Sequence, residues 1–490
     1  MTHVLVTGAT GYIGGRLVPQ LLEAGHEVSV YVRSPWKLND VPWRDRVRVL
    51  TGELSDTVAT CRAMDGVDVA FYLVHSMSAG RDFKRSEEEA ARTFARSAEV
   101  AKVGRIVYLG GLHPEDAALS DHLASRAAVG QIFLSCPVSA VVFQAGIVIG
   151  SGSASFEMIR HLTEVLPYMP APRWVRNHVQ PIAIRDVLRY LVQAVTIEEE
   201  VNRTFDIGGR DILRYGQMMN GYAVEAGLPQ RHIAALPVLT PWLASQWVGL
   251  VSPVPRQLAV PIIASLQNDC VVREHDIDRY IAAPEEGLLP YRRAVRLALM
   301  REAEGEVETS WQSATVAGAP SDPLPSDPNW SGHTVLTDLR ERESAASADA
   351  VWDVIEAIGG EKGWHSSRLA WAARGWIDRL VGGVGMRRGR RHPSRVNSGD
   401  VIDVWRVESI ERGRMLRLRA EMRLPGRAWL ELSVEPTETG SRYRQRAVYF
   451  PKGLTGRLYW AVLLPFHGVI FPGMAASILR EAERSTEKAQ

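Results

Sequence analysis

The feature that most limits what this chain can fold into lies at its start: Val4-Leu5-Val6-Thr7-Gly8-Ala9-Thr10-Gly11-Tyr12-Ile13-Gly14. Val4 to Val6 reads as a short buried strand. From Arg16 to Glu23 the apolar residues Leu17, Val18, Leu21 and Leu22 recur at helical spacing. Three glycines, three apart, stand between strand and helix. Gly8 permits a tight turn, Gly11 lets main-chain N–H groups approach a pyrophosphate, and Gly14 lets helix and strand pack closely. The phosphates are expected at the helix N-terminus, where unpaired N–H groups and the helix dipole favour an anion. A turn that holds nothing fits the same glycines; the second strand that follows favours the nucleotide. Thr10, Tyr12 and Ile13 complete the expected cofactor-binding stretch.

Glu27 to Val32 reads as that second strand and closes a βαβ unit. Arg33 follows, where an acidic residue would hydrogen-bond the ribose hydroxyls of NAD. With no acid there, Arg33, Ser34 and Lys37 point to the 2′-phosphate of NADP(H), while NAD(H) stays open and a solvated basic loop is the plain alternative. Val47 to Leu50 is a third strand running into Gly52 to Asp56, so Glu53 and Leu54 are placed beside the adenine. Val67 to Val74 is a fourth strand. Its end, Leu73-Val74-His75, is expected to face the cofactor, because ligands of open α/β sheets gather at the carboxyl ends of strands. His75 serves equally well as a hydrogen-bonded loop imidazole. Glu87 to Val103 is an amphipathic helix and Arg105 to Leu109 a fifth strand.

With these motifs in place, the first roughly 300 residues resemble the atypical and extended branch of the short-chain dehydrogenase/reductase family. The TGATGYIG stretch, the Asp56 loop and Asp186-Val187 after a strand carry the likeness. The resemblance implies an α/β fold: a doubly wound parallel Rossmann sheet with a cofactor cleft and a small substrate lobe. It also implies a catalytic Ser after the fifth strand and a Tyr-x-x-x-Lys on the next helix, where Lys lowers the phenol's pKa and Tyr passes a proton. This chain departs from all three positions. Gly110-Gly111 replaces the Ser, and His122 and Arg126 take the Tyr and Lys places. An imidazole can serve as general acid or base, and the Arg126 charge favours its neutral form. A helix that merely packs beside a bound nucleotide is the alternative.

A sixth strand, Ser139 to Ile149, leads through Gly150-Ser151-Gly152-Ser153 into a helix, Phe156 to Leu166, that walls the cleft. Pro167, Pro170 and Pro172 are expected to break the chain into a loop ending at Trp174. Pro181 to Val187 returns to the sheet and enters a helix to Val195, and Thr204 to Ile207 is another strand. Trp242, Trp247, Leu250, Val251 and Val254 read as an apolar lobe.

Domain 1–304 is thus expected to end before a linker, 305–334, with prolines at 320, 323, 325 and 328. A second domain, 335–484, opens with a strand (Thr334 to Arg340) and a helix (Ala348 to Ile358). After a Trp-rich segment with Trp364, Trp371 and Trp376 come strands Asp400 to Ser409, Met415 to Leu424, Ala428 to Pro436 and Ser441 to Phe450. A long apolar segment closes the chain. The order resembles an α+β helix-grip, or START-like, domain, a fold that wraps a sheet around a long helix and often holds a small apolar molecule or lipid. The whole chain is similar to bacterial proteins in which an atypical reductase domain precedes such a domain of unknown function. Trp352-Asp353-Val354-Ile355, Val404-Trp405-Arg406-Val407, Ala420-Glu421-Met422, Pro425-Gly426 and Gly456-Arg457-Leu458-Tyr459-Trp460 carry that likeness. Seven of the 14 tryptophans lie in this domain and suit either a ligand cavity or a solid core. Asp403, Arg406 and Glu421 are charged strand residues that either orient a ligand or face water.

Leu458 to Leu479 contains no charged residue, a length that raises the question of a membrane span. Pro465 and Pro472 are expected to cut the run into shorter pieces. It reads as the closing helix, with contact at a membrane surface as the further expectation. The cluster Arg387-Arg388-Gly389-Arg390-Arg391-His392 would suit an anionic lipid or a phosphate, or a solvated loop.

A formal charge of +1 over 490 residues argues against nucleic acid as a partner. Cys61, Cys136 and Cys270 show neither metal-ligand nor disulfide spacing, so no metal is expected and a reducing, cytoplasmic setting fits. The first strand begins within a few residues of Met1, and no leader is expected. Two functions follow: an NADP(H)-dependent oxidoreductase acting on an apolar carbonyl or similar small molecule, or a non-catalytic NADP(H)-binding sensor or scaffold module.

Overall fold

The computed structural model describes residues 1–39, 41–74, 83–114, 119–198, 200–236, 256–307, 334–359, 363–364, 392 and 395–489. His75, the apolar lobe from Trp242 to Val254, most of the linker, Trp371, Trp376 and the arginines of the 387–391 cluster lie outside these residues. The chain divides into two compact units, Met1–Gly332 and His333–Gln490.

The first unit is built on seven strands: β1 (His3–Thr7), β2 (Glu27–Val32), β3 (Arg48–Thr51), β4 (Val69–Tyr72), β5 (Arg105–Gly111), β6 (Ser139–Ala145) and β7 (Arg203–Ile207). Every pairing among them is parallel, and the order across the sheet is β3-β2-β1-β4-β5-β6-β7. Strands buried on both faces read as near-continuous apolar runs, and Val4, Leu5 and Val6 are fully buried. On one face α1 (Tyr12–Glu23) contributes Leu17, Val18 and Leu21 to a core shared with Val187, Leu188 and Leu191 of the helix Ile184–Gln193. The other face is covered by α2 (Thr57–Ala63), α3 (Phe83–Val100) and α4 (Asp121–Leu134). There the rings of Tyr72, Phe94, Tyr108 and Phe133 meet edge to face with centroids 5.0–5.5 Å apart.

A second apolar cluster forms the small lobe. It joins α5 (Ala154–Val165) to the helices Tyr215–Glu225, Arg256–Ser265 and Tyr291–Val307 through Phe156, Ile159, Leu162, Tyr222, Ile263 and Val295. One expectation fails here. Tyr168–Pro172 is a strand rather than a loop, paired in parallel with His232–Leu236. Among the described residues the sheet has these two strands, and a proline without an N–H is tolerated at an edge.

The second unit holds a six-stranded antiparallel sheet. Its strands are β8 (Leu336–Ser344), β9 (Val401–Ile402), β10 (Trp405–Glu411), β11 (Met415–Ala420), β12 (Gly426–Thr437) and β13 (Gly440–Pro451), in the order β8-β13-β12-β11-β10-β9. One face packs on α6 (Ala348–Glu356) and α7 (Gly453–Ala489), burying Val351 and Ile355 with Leu418, Leu432, Tyr443, Met474 and Ile478. The other face carries ion pairs, among them Arg446–Glu431 (2.7 Å), Arg444–Glu341 (2.6 Å) and Arg417–Glu408 (3.2 Å). Such alternation is the signature of a sheet with one wet side.

Two readings need correction. The segment 400–409 is not one strand: Asp403 takes a left-handed conformation (φ +54°) that separates β9 from β10. Its carboxylate accepts a hydrogen bond from Trp364 Nε1 (2.8 Å), while Arg406 pairs with Glu421 (2.5 Å). These charged groups satisfy neighbours of the core rather than standing alone on a strand. Second, Pro465 and Pro472 do not cut the closing segment, since α7 runs unbroken for 37 residues. Each proline removes one main-chain donor, and Pro465 is exposed, where the freed carbonyl can meet water.

Replacing Asp403 by Ala removes the acceptor of a buried indole and leaves a Cβ residue in the left-handed region without its polar side chain. The expected loss is about 2 kcal/mol, read as a lower urea midpoint with unchanged slope.

Candidate cofactor site

The order of strands reverses between β1 and β4, and the crevice outside their carboxyl ends is where ligands of such sheets bind. β1 ends at Thr7, whose hydroxyl donates to Phe71 O (2.8 Å) and accepts from the Leu73 N–H (3.4 Å). The two strand ends are thereby tied. Gly8 then turns with φ +76°, and a Cβ there would lie 2.5 Å from Leu73 O. At Gly14 a Cβ would lie 2.4 Å from Gly8 O. Both obstacles are main-chain atoms that cannot swing aside.

Gly11 differs. Its N–H donates to Gly8 O (2.9 Å), and that same oxygen is the one described atom near an added Cβ, at 3.2 Å. Gly11 is also the N-cap residue of α1. No side chain caps this helix, and its first turn contains no acid. An open, uncapped helix start beside bare main chain fits the pyrophosphate of a dinucleotide. Thr10, Tyr12 and Ile13 line the turn. The Tyr12 side chain, however, points towards the segment after β6: a Cβ on Gly150 would touch its hydroxyl at 2.3 Å. Arg16 stacks over the Tyr12 ring (4.2 Å) and donates to Ser151 O (3.3 Å). The phosphate loop is therefore braced from behind, a support that sequence spacing does not reveal.

Arg33 stands one residue past β2, exposed, and forms no ion pair or hydrogen bond with a described residue. Ser34 opens a short 3₁₀ turn, Pro35–Leu38, that exposes Lys37. The loop then returns to α1, burying Leu38, Val41 and Trp43, with Trp43 Nε1 donating to Gly15 O (3.0 Å). Glu53 is exposed and Leu54 half-buried, while the Glu53 carbonyl accepts from Tyr31 Oη (3.1 Å). Asp56 serves the main chain instead. Its Oδ1 accepts from the N–H groups of Val58 and Ala59 (3.0 Å each) and caps α2. Leu73 and Val74 lie against Gly8; His75 is not among the described residues.

At the end of β5, Arg126 Nη2 donates to Leu109 O (3.0 Å) and the Arg126 carbonyl accepts from Tyr108 Oη (3.2 Å). Arg126 thus clamps α4 to β5. Burial pushes the Tyr108 phenol up, which keeps it a donor. His122 lies one turn before Arg126, half-buried. The structure adds a residue that the helix pattern did not suggest. His113 Nδ1 lies 2.8 Å from Gly111 O, a pairing that places the proton on Nδ1 and leaves Nε2 as an acceptor. A histidine so soon after the glycine pair was the available signal. Ser125 donates to Glu87 (2.5 Å) and locks α4 to α3.

Asp186 is buried and accepts from the Leu289 N–H (2.9 Å), and burial raises its carboxyl above the ordinary range. Together with Asp211, which accepts from the Tyr291 N–H (2.6 Å), it anchors the start of helix Tyr291–Val307. On α5, Glu157, Arg160 and His161 are wholly buried, with Glu157 Oε2 3.3 Å from Arg160 Nη1. The sequence reading of that helix as a wall of the cleft did not single them out.

Comparison with known proteins agrees with this geometry. Residues 8–133 match the family model described as NAD(P)H-binding. Residues 330–474 match the family described as a protein of unknown function (DUF2867). A 3 beta-hydroxysteroid dehydrogenase/Delta 5-->4-isomerase of Mycobacterium tuberculosis is 34% identical over 93 residues, covering 19% of this chain and 24% of that protein. A ceramide reductase of Caulobacter vibrioides is 28% identical over 174 residues, covering 34% and 53%. The chain therefore spans between a quarter and about half of the length of these relatives. The Citrobacter sp. triphenylmethane reductase complexed with NADP(H) superposes with a TM-score of 0.48 at 17% identity, over 61% of this chain and all of that one. The first unit contains an NAD(P)-binding Rossmann domain with relatives among the short-chain dehydrogenases/reductases, and an antiparallel-sheet domain without assigned function follows it.

The three glycines separate fold from binding. Gly14→Ala forces Gly8 and the helix apart and lowers the unfolding midpoint by several degrees. Gly11→Ala lowers that midpoint less, since its Cβ would lie 3.2 Å from Gly8 O, and weakens NADPH binding at least about tenfold if the methyl takes the space of a phosphate oxygen. Calorimetric titration beside a thermal melt reads both.

Proposed function

We propose that the chain is an NADP(H)-dependent oxidoreductase that acts on an apolar, lipid-like carbonyl or activated double bond. The observation that carries the reading is the pairing of a bare phosphate cradle at Gly8, Gly11 and Gly14 with an uncommitted Arg33 at the end of β2. A guanidinium there can hold a 2′-phosphate by two parallel hydrogen bonds, with Ser34 and Lys37 beside it. When bound, the nicotinamide supplies the hydride, and no side chain has to.

The chain's own residues then bind, orient and handle one proton. The glycine turn fixes the pyrophosphate, while Leu73 and Val74 flank it at the neighbouring strand end. His122 is the candidate donor to the substrate oxygen, with Arg126 holding its helix against β5. His113 is an alternative donor: with Nδ1 tied to Gly111 O, its Nε2 can take up a proton and pass it on. An apolar, lipid-like carbonyl compound is the substrate class that this reading takes. The names of two relatives, a hydroxysteroid dehydrogenase and a ceramide reductase, support that class. The second unit resembles helix-grip domains in its strand–helix–sheet–long-helix order and would present or sequester the same apolar molecule.

A second reading, an NADP(H) sensor without turnover, is favoured by Gly110-Gly111 in place of the usual Ser and by the missing Tyr-x-x-x-Lys. Arg33→Ala is expected to weaken NADPH binding about tenfold to a hundredfold while leaving NADH unchanged; an equal loss for both would remove Arg33 from the site. NADPH oxidation with a panel of apolar ketones and enones then divides enzyme from sensor. His122→Ala is expected to lower kcat by two orders of magnitude or more. If only His113→Ala does so, the proton comes from the strand end instead.

A further inference from the structure

One peptide group beside the glycine turn is gripped from both sides. The carbonyl of Ser151 accepts from Arg16 Nη2 of α1 (3.3 Å). The N–H of Gly152, the other end of the same peptide, donates to Glu157 Oε1 of α5 (2.9 Å). In a trans peptide the oxygen and the hydrogen point in opposite directions, so the group lies between a cation and an anion. Arg16, Ser151 and Glu157 are all buried. Out of water and with a charge at each end, both hydrogen bonds are stronger than neutral ones, and each polarises the peptide in favour of the other.

The two ends belong to different layers of the first unit. Arg16 also donates from Nη1 to Tyr12 O (3.3 Å) and lies over the Tyr12 ring, so it is set against the first turn of α1, where the N–H groups of the proposed phosphate cradle begin. Glu157 belongs to α5, the helix at the centre of the small lobe's apolar cluster. Its second oxygen lies 3.3 Å from Arg160 Nη1 and 3.8 Å from His161 Nε2, both buried on the same helix. Between the two ends the chain turns at Gly152 (φ +89°), and Ser153 Oγ donates to Val148 O (2.8 Å). A carboxylate that only capped α5 would need no cation on the far side of the same peptide.

We propose that Glu157 is a positioning residue for the dinucleotide site. Through the Ser151–Gly152 peptide it holds Arg16, and Arg16 holds the first turn of α1 in the setting that a pyrophosphate requires. The inference rests on the nucleotide reading of the glycine turn and adds that the small lobe bears on cofactor affinity. Without the brace the turn is ordered only as the nucleotide binds, and that ordering lowers the affinity.

The test is calorimetric titration of the full chain with NADPH and with 2′-phospho-ADP-ribose, which carries the pyrophosphate but no nicotinamide. Glu157→Gln/Arg160→Met removes the buried ion pair as a unit, and Arg16→Met removes the other end. Each should weaken both ligands about tenfold, and the three changes together should weaken them no more than the worse of the two, because both ends act through one peptide. Losses that multiply to about a hundredfold would make the ends independent and overturn the proposal, as would wild-type affinity in Glu157→Gln/Arg160→Met. Leu162→Ala opens a cavity on the same helix and should lower the thermal midpoint while leaving both affinities unchanged. An equal loss of affinity there would mean that α5 acts only through stability, and the proposal fails. Should Glu157→Gln/Arg160→Met not fold, hydrogen exchange decides. The ligand 2′-phospho-ADP-ribose should slow exchange of the Gly152 and α5 amides in the wild type but not in Arg16→Met, and slowing in neither or equally in both overturns the brace. A wild type that binds neither ligand overturns the nucleotide reading itself, whereas one that binds both beside variants that bind equally well overturns the brace alone.

Discussion

Everything in the first unit depends on how closely the main chain of α1 can approach the turn after β1. Gly14 rests on the carbonyl of Gly8, and Gly8 rests on the carbonyl of Leu73, at separations that no Cβ could enter. These contacts bring the helix start to the mouth of the crevice between β1 and β4. There the strand order reverses and the helices on either side of the sheet leave a gap. The cradle proposed for an anion is thus a by-product of packing. Once the helix is seated this deeply, its first N–H groups face the gap, and Gly11 leaves them uncovered.

Around that seat the chain spends buried polar groups on position rather than on chemistry. Trp43 fastens the loop bearing Arg33 to Gly15, and Arg16 with Tyr12 fastens the turn to Gly150 and Ser151. Asp56 caps a helix, Asp186 and Asp211 hold the start of another, and Arg126 ties α4 to β5. A charged residue beside a cofactor cleft is easily taken for a catalytic one. Here most of them answer main-chain donors and acceptors that burial would otherwise leave unpaired. Among the described residues, Arg33 at the surface and the Nε2 edge of His113 are groups without such a duty.

The second unit follows a different logic. Its sheet keeps one wet face of ion pairs and one dry face, and α7 lies across the dry face for only half of its length. The remaining half would be an unfavourable surface for a helix with water on that side.

The strand, glycine turn and helix were legible in the sequence because each rests on short-range chemistry: apolar runs, a period of about 3.6 and the conformational freedom of glycine. The parallel doubly wound sheet follows from repeating that unit, and the antiparallel sheet from alternation. Three features depended on tertiary structure. Tyr168–Pro172 became a strand because its partner, His232–Leu236, comes from a distant part of the chain. Asp403 became a turn because its carboxylate found the indole of Trp364. The burial along α7 was decided by the sheet, since Trp460 stacks on Tyr449 and Met474 and Ile478 are buried while Val462 and Val469 stay exposed. The sequence determines which residues prefer a helix or dislike water. Which of them meet, and hence which groups remain uncommitted, is settled only when distant segments compete for the same partners.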